Sequence, residues 1–278
     1  MARWTEAGPW LLASGLAVLF LGAAGAAEPQ PATAEPARDE LRVCADPNNM
    51  PFSNERKEGF ENKLAELVGR ELGMEVSYTW RPQRRGFIRN TLNAGICDVI
   101  MGVPPLDMLR PTHSYYASTY VMVSRAEDGL DFSSIQAPEL RHLKIGVHLI
   151  GDDGANTPAA EVLGRQGIVD NVVGYSIQGD YREDSPPSRL VEAVASGEVD
   201  VAFVWGPLAG YYALQSQVPL KIVPVTGTEP FMPFVFRFPV GMGVRKGDEE
   251  LWARLNDVIS SRRSDIDALL DQYGVPRV

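Results

Sequence analysis

The chain has 278 residues, of which 45% are hydrophobic and 22% charged, and its formal net charge at pH 7 is −10. This length allows one large domain or two modest lobes, each with a core of its own. The acidic balance argues against nucleic-acid binding, which depends on basic surfaces. The histidines and the two cysteines are scattered, with no CxxC spacing, so the composition also argues against a metal site.

The N-terminal segment predicts an export signal. Arg3 precedes an apolar run at 10–22 and small residues at 23–27, which is the order found in cleavable signal peptides. The apolar run is shorter than the roughly 20 residues that a membrane-spanning helix needs. We therefore expect a signal peptide at 1–27, a disordered tether rich in proline and alanine at 28–40, and a mature chain in the periplasm without stable membrane insertion. A retained membrane anchor is the alternative.

The first part of the mature chain alternates strands and helices. Apolar and alternating patterns predict strands at 41–45, 74–80 and 97–103, and helical periodicity predicts helices at 61–72 and 85–94. Each helix is followed by a glycine, a common helix terminator. This order of elements is typical of a parallel sheet whose strands are connected by crossover helices.

The middle of the chain repeats the pattern. We predict strands at 143–149, 171–177 and 199–205, and helices that begin at Thr157-Pro158 and at Pro187.

Two extended segments, 115–124 and 234–244, flank the middle block, and we interpret them as crossings between two lobes. The predicted fold class is therefore α/β, with lobe 1 formed by 41–124 and 235–278. Lobe 2, with its crossings, is formed by 125–234.

The C-terminal part predicts two further helices. Asp248 is expected to cap a helix that continues through Leu255 and Ile259. Ser264 and Asp267 approximate a capping box for the last helix.

The cysteines Cys44 and Cys97 fall in predicted strands of the same lobe. An exported chain reaches a compartment that oxidises thiols. We therefore predict a disulfide between them, with two free thiols as the alternative.

Several motifs resemble one known family. The runs DPNNMPFSN at 46–54, GFENK at 59–63 and YTWRPQRRGFIRNTLNAGICDV at 78–99 are similar to the periplasmic MxaJ/XoxJ family. YYASTYV at 115–121 and YGVP at 273–276 extend the resemblance, which covers almost all of the mature chain. The segment at 80–99 is the most specific part, because general solute receptors do not share its Pro-Gln-Arg-Arg-Gly run.

The resemblance implies a two-lobed periplasmic binding protein fold of the amino-acid-receptor kind, each lobe a sheet flanked by helices. Members of this family accompany PQQ-dependent methanol or alcohol dehydrogenases and their cytochrome c. The implied function is that of an accessory factor that aids maturation or activation of the quinoprotein dehydrogenase. The dehydrogenase is the implied partner, with its cytochrome c as a second candidate partner. The alternative is the solute-binding receptor of an ABC transporter.

No enzymatic activity, cofactor or metal is predicted. The sequence contains no Ser-His-Asp or Cys-His constellation, phosphate-binding loop or zinc motif that we recognise. A periplasmic lyase on this scaffold has no residue to support it, and is kept only because a fold does not determine a function.

The chain departs from the amino-acid receptors of this fold at two positions. Those receptors resemble one another in an arginine that holds the ligand carboxylate and an aspartate that holds its ammonium group. Here Trp205 stands where the acid is expected, and Arg110 only approximates the arginine. A free amino acid is therefore disfavoured, because an ammonium group without a carboxylate partner is costly to bury.

Candidate ligand or partner residues follow the first predicted strand. Asn48, Asn49 and Phe52 stand at its carboxyl end, the edge at which open α/β sheets bind ligands. Their side chains can hydrogen bond to a bound group or stack on it. A simple turn is the alternative, because Asp-Pro-Asn-Asn favours a turn by itself.

A basic cluster, formed by Arg81, Arg84, Arg85 and Arg89, lies near the start of the second predicted helix. Cations there oppose the helix dipole, so local stability does not explain them. An anionic ligand or an acidic partner surface does, since guanidinium groups bind carboxylates well. Ion pairing on the surface is the alternative.

Other candidates come from separate segments. Tyr115 and Tyr116 in the first crossing are expected at the cleft mouth, with strand packing as the alternative. Asp152 and Asp153 follow the first strand of lobe 2, a position that is expected to face the cleft. A simple turn is the alternative for this pair. The remaining predicted residues of the ligand or partner cleft are Trp80, Arg110 and Trp205.

Overall fold

The computed structural model describes residues 38–150 and 156–278. The predicted signal peptide and most of the predicted tether lie outside the described residues, as do Asp152 and Asp153. The last tether residues belong to the folded unit, because Arg38 forms an ion pair of 2.7 Å with Asp248 and Glu40 begins the first strand.

The first part of the chain contains these elements: β1 (Glu40–Ala45), β2 (Asn48–Asn49), β3 (Ser53–Asn54), α1 (Phe60–Leu72), β4 (Glu75–Trp80), α2 (Phe87–Asn90), β5 (Val99–Val103) and β6 (Arg110–Arg125). The second part contains β7 (Ile145–Leu149), α3 (Pro158–Arg165), β8 (Val172–Ser176), α4 (Arg189–Ala195), β9 (Val201–Trp205), α5 (Gly206–Gln215), β10 (Leu220–Pro224), β11 (Arg237–Val244), α6 (Glu249–Ser261) and α7 (Arg263–Gln272).

Within the described residues, the long strands form one mixed sheet in the order β4-β1-β5-β11-β6-β9-β7-β8, and β10 also pairs with β6. The first half-sheet contains β4, β1, β5, β11 and residues 110–119 of β6. The second contains residues 120–125 of β6 with β10, β9, β7 and β8. β1, β4 and β5 are parallel, as are β7, β8 and β9. The predicted lobe limits stay a prediction.

Each half-sheet has its own hydrophobic core. In the first, α1 buries Phe60, Leu64 and Val68 against the sheet and against α6 and α7. In the second, the buried side chains of β7 and β9 pack under α3, with Ile145 and Phe203 fully enclosed. The apolar periodicity of each helix explains why it covers the sheet with one face.

The predicted disulfide is confirmed. Cys44 at the end of β1 is bonded to Cys97, which precedes β5, with the two Cα atoms 5.5 Å apart. The adjacent carboxylate of Asp98 accepts hydrogen bonds from Arg42 (2.8 Å) and Arg245 (2.9 Å). Burial alone would raise the pKa of Asp98, but the two guanidinium groups outweigh it and lower that pKa.

The structure corrects the helix predictions at three points. The helix predicted at 85–94 is only Phe87–Asn90, because the Thr91 hydroxyl donates to the Phe87 carbonyl and the backbone turns away. The capping box of Ser264 and Asp267 is wrong, since the Arg262 amide bonds to Val258 and α6 leads directly into α7. By contrast, the Asp248 cap is confirmed by a 3.3 Å hydrogen bond from the Leu251 amide.

The third correction is α5, which the sequence did not predict. Its Gly206, Pro207 and Gly210 suggest a loop, yet proline is tolerated in a first helical turn. Gly210 allows α5 to approach the C-terminal segment, because a Cβ atom there would lie 1.9 Å from the Gly274 carbonyl oxygen. Among the described residues, no helix is both long and apolar enough to cross a membrane.

Candidate functional site

A cleft of about 410 Å³ lies between the two half-sheets, at the carboxyl ends of β1, β7, β8 and β9. The first half-sheet and its loops contribute Asp46, Asn48, Asn49, Phe52, Glu61, Gln83, Gly102, Pro104, Tyr116, Phe238 and Val240. The second contributes Tyr120, His148, Ile177, Gln178, Tyr181, Pro187, Trp205 and Leu208. We call this set the cleft.

The structure brings five of the predicted residues together in the cleft, namely Asn48, Asn49, Phe52, Tyr116 and Trp205. Their assignment to a ligand or a partner stays a prediction.

The other described candidates lie outside the cleft. Tyr115 is buried in the core, where its hydroxyl donates to the Met101 carbonyl. Its neighbour Tyr116 reaches the cleft because successive side chains of a strand point to opposite faces. Trp80 is stacked on Tyr78, with ring centroids 4.5 Å apart.

The predicted arginines are also outside the cleft lining. Arg110 lies over the Trp252 ring and forms an ion pair of 2.6 Å with Glu249, so it is held on α6. Arg84 lies at the rim, where its guanidinium is 5.0 Å from the centre of the Tyr181 ring. Arg85 is exposed beside it.

Asp46 is buried and fully engaged. Its carboxylate accepts hydrogen bonds from the backbone amides of Asn48 (2.8 Å) and Gln83 (2.6 Å) and from the Tyr181 hydroxyl (2.6 Å). Three donors offset the cost of burying its charge. Because Tyr181 follows β8, this carboxylate also joins the two half-sheets.

Glu61 was not among the predicted site residues. It lies in the first turn of α1, is 9% exposed and lines the cleft. Burial, followed by the nearby charge of Asp46, raises the pKa of Glu61 to about 8. Its carboxylate fits only because residue 102 is a glycine, since a Cβ atom there would lie 2.0 Å from the Glu61 Oε1 atom. The sequence did contain a signal that Glu61 is buried. It stands three residues before Leu64 and seven before Val68, so it lies on the apolar face of α1.

Neutral aromatic and histidine side chains form much of the wall, beside amide and aliphatic side chains. Trp205 contacts Tyr120 and Phe238, with centroids 5.5 and 5.7 Å apart. Burial raises the pKa of Tyr120 to about 12 and lowers that of His148 to about 4, so both are neutral at pH 7. No lysine or arginine occurs among the described lining residues. The described lining therefore combines aromatic, aliphatic and amide side chains with two carboxyl groups.

A loop between β8 and α4 closes the cleft from the second half-sheet. Besides the bond from Tyr181 to Asp46, the Asn48 side chain donates to the Glu183 carbonyl (2.8 Å) and accepts from the Ser185 amide (3.3 Å). These bonds connect residues that lie more than 130 positions apart. The described arrangement is thus a closed one.

We expect Tyr181→Phe to weaken this closure. The change removes the hydroxyl that reaches Asp46 across the cleft, and a hydrogen bond to a charged group contributes about 1.5 to 3 kcal/mol. Small-angle X-ray scattering should report a larger radius of gyration than for the unmodified protein. Tyr175→Phe is the matched control, because its hydroxyl bonds to Glu198 within the second half-sheet. Identical scattering profiles for both variants would contradict a closing role for Tyr181.

The described residues offer no ready metal-binding set. Within 38–150 and 156–278, no group of three or more His, Cys, Asp or Glu side chains is placed to hold a metal ion.

Comparison with known proteins places the chain among binding proteins. The sequence profile of the bacterial extracellular solute-binding proteins, family 3, matches residues 41–276. The chain is 28% identical over 267 residues to Protein MoxJ of Paracoccus denitrificans, covering 92% of this chain and 94% of that protein.

Two solved structures are similar over most of the described fold. The periplasmic binding protein XoxJ from Methylobacterium extorquens AM1 matches with a TM-score of 0.70 and 35% identity, covering 86% of this chain and 99% of XoxJ. MxaJ from Methlophaga aminisulfidivorans MPT matches with a TM-score of 0.74 and 28% identity, covering 86% of this chain and all of MxaJ (100%). The predicted MxaJ/XoxJ resemblance and the predicted two-lobed periplasmic binding protein fold are both confirmed.

Proposed function

Because the chain belongs to family 3 of the bacterial extracellular solute-binding proteins, we propose that it is a periplasmic binding protein that serves a quinoprotein dehydrogenase. In this role it aids maturation or activation of a PQQ-dependent methanol or alcohol dehydrogenase and is itself not an enzyme. The observation that carries the proposal is the similarity to MoxJ, XoxJ and MxaJ over most of the chain. The dehydrogenase is the proposed partner, and its cytochrome c is the second candidate partner.

The position of Arg110 supports a role other than amino-acid uptake. Its guanidinium is engaged by Glu249 and Trp252 on α6, away from the cleft. Trp205 lines the cleft where an amino-acid receptor would present an acid. A ligand carboxylate would therefore meet no arginine or lysine among the described lining residues.

The surface around the basic cluster is the proposed docking surface for the dehydrogenase. Arg81, Arg84, Arg85 and Arg89 are exposed there in a chain that is acidic overall. Beside them is a shallow groove that includes the side chains of Leu106 and Met108, which are 38% and 50% exposed. Apolar groups next to guanidinium groups suit a partner surface that is itself apolar at its centre and acidic at its edge.

We expect Arg81→Glu combined with Arg89→Glu to weaken capture of purified quinoprotein dehydrogenase by about tenfold or more, because charge reversal replaces attraction with repulsion. Neither arginine has an ion pair with any described residue, so the fold should survive. The matched control is Lys144→Glu with Lys246→Glu, two exposed cations at other places on the surface. Affinity is measured by surface plasmon resonance at low and physiological salt. Equal affinities for the two double variants would remove this surface from the proposal.

A solute receptor of an ABC transporter is the second candidate, favoured by the closed cleft between the half-sheets. Two binding measurements, one with the dehydrogenase and one with nutrient solutes, distinguish the two functions. Capture of the dehydrogenase by the purified protein supports the accessory role. Failure to capture it, together with tight binding of one nutrient solute, supports the transporter role and overturns our proposal.

A further inference from the structure

One carboxyl group of the cleft wall is mostly buried and has no partner among the described residues. Glu61 lines the cleft and is 9% exposed. Its carboxylate forms no hydrogen bond or ion pair with any of the residues that the structure describes. Nearly all buried polar groups in folded proteins have a partner. An unsatisfied carboxyl group that faces a cleft therefore indicates a ligand with a complementary group.

The other lining groups restrict what that ligand can be. Asp46 places a negative charge close to the Glu61 carboxyl group, while His148 is neutral at pH 7. The described lining residues include no lysine or arginine that would balance these carboxyl groups. The aromatic side chains of the wall are Phe52, Tyr116, Tyr120, Tyr181, Trp205 and Phe238. Aromatic rings attract cations, and rings combined with carboxylates are typical of sites that recognise ammonium groups.

We propose that the cleft binds a small organic cation, a quaternary ammonium or a protonated alkylamine, with the Glu61 carboxylate as its counter-charge. Asp46 contributes negative potential, although its own oxygens already accept three hydrogen bonds. The aromatic walls cover the alkyl groups of the cation. This proposal stands independently of the dehydrogenase, because it concerns the cleft and not the exposed basic cluster.

Two other ligand classes fit the cleft less well. A divalent metal ion needs a larger set of oxygen ligands, and the described residues provide no group of three acidic, histidine or cysteine side chains. An amino acid or a betaine carries a carboxylate that would lie close to Asp46 and Glu61 without a cationic partner. Repulsion between these carboxylates disfavours a zwitterion relative to a plain cation.

Binding of a cation should depend on pH through Glu61. Because burial raises the pKa of Glu61 to about 8, this carboxyl group is mostly protonated in the ligand-free cleft at pH 6. A cation prefers the ionised form, so affinity should rise about a hundredfold between pH 6 and pH 9, with release of a proton on binding.

Several elements place titratable or charged groups against Glu61. Asp46 is the charged group that faces it from the end of β1, and β5 faces it with Gly102. On the far wall, the lowered pKa of His148 keeps that ring neutral. The tyrosines around α1 have raised pKa values and stay neutral, namely Tyr78, Tyr115, Tyr116 and Tyr273. Arg254 of α6 and Arg262, which follows α6, lie at the other end of α1, beside Leu72 and Glu71.

The test compares probes of the same shape and different charge by isothermal titration calorimetry at pH 6, 7.5 and 9. The cations are choline and butylammonium, the neutral isostere of choline is 3,3-dimethylbutan-1-ol, and the zwitterion is glycine betaine. At least one cation should bind saturably, at least tenfold more tightly than the neutral alcohol and the betaine. Affinity should increase with pH, and titrations in two buffers of different ionisation enthalpy should report proton release.

Two variants test whether cation binding and its pH dependence are due to the Glu61 carboxyl group. Glu61→Gln keeps the shape of the side chain and should weaken cation binding at least tenfold while abolishing its pH dependence. Glu66→Gln is the matched control on the same helix, because its carboxylate pairs with Lys63 outside the cleft. Absence of cation binding, equal binding of choline and its neutral isostere, or an unchanged affinity in Glu61→Gln would each overturn the proposal.

Discussion

Replacing Glu61 with glutamine is expected to stabilise the ligand-free protein at pH 7 by up to about 3 kcal/mol. In the unfolded chain this carboxyl group ionises with an ordinary pKa, whereas in the folded protein burial raises the pKa to about 8. At neutral pH, folding therefore has to bind a proton or bury an unpaired charge, and each pH unit between the two pKa values costs about 1.4 kcal/mol. A neutral amide of the same shape avoids this cost.

The sign of the pH dependence follows from the same shift. Between pH 4.5 and about 8 the folded state holds the Glu61 proton and the unfolded state does not, so stability falls as pH rises through this window. Glu61→Gln should remove that contribution. Urea unfolding at pH 5, 7 and 8.5 measures it, with Glu66→Gln as the control. If Glu61→Gln and the unmodified protein show the same pH profile, the buried carboxyl group is not the cause.

The Glu61→Gln variant also distinguishes a ligand-binding role of Glu61 from a purely structural one. A side chain that costs stability and yet occupies the wall of a closed cleft is typical of functional sites, where stability is lost in favour of binding. We expect Glu61→Gln to be more stable and less able to bind a cation, a combination that a purely structural residue would not produce.

Removing the disulfide is expected to have the largest destabilising effect. Cys44→Ala with Cys97→Ala should lower the free energy of unfolding by about 4 kcal/mol, because the bond closes a long loop and restricts the unfolded chain. The two cysteines are 53 residues apart in the sequence and both are almost completely buried.

The folded structure should survive this double replacement. Asp98, next to Cys97, remains bound to Arg42 and Arg245, so β1 and β5 keep their relative position. Urea unfolding of the double variant should match that of the reduced, unmodified protein, while the oxidised protein unfolds at higher urea concentrations. A difference below about 1 kcal/mol between the oxidised protein and the variant would contradict the chain-entropy explanation.

Local periodicity was enough to find most of the regular elements. The helix α1 and the strands β1, β4 and β5 agree with the predicted segments to within one or two residues, because their apolar spacing matches a single type of structure. α5 was missed because Gly206, Pro207 and Gly210 favour turns in isolation. In the folded chain, packing of α5 against the C-terminal segment outweighs that preference.

The site was harder to predict from the sequence than the fold. Asn48 and Phe52 follow β1, and Trp205 is the last residue of β9, so the strand pattern alone indicates that all three lie at carboxyl ends of strands. Glu61 was overlooked because an acidic residue in the first turn of a helix is ordinary, and only its burial makes it unusual. Arg110 suggested a ligand contact until Glu249, far along the chain, proved to be its partner.

The sequence alone predicted the export signal, the order of most long strands and helices, the disulfide partners and the family, because each depends on short patterns or on composition. Only the tertiary structure decided which polar groups share the cleft. The Tyr181 hydroxyl and the Asp46 carboxylate are 135 residues apart in the chain and 2.6 Å apart in space. Such a contact depends on how the cores of the two half-sheets pack together, and no local pattern of residues encodes that distance.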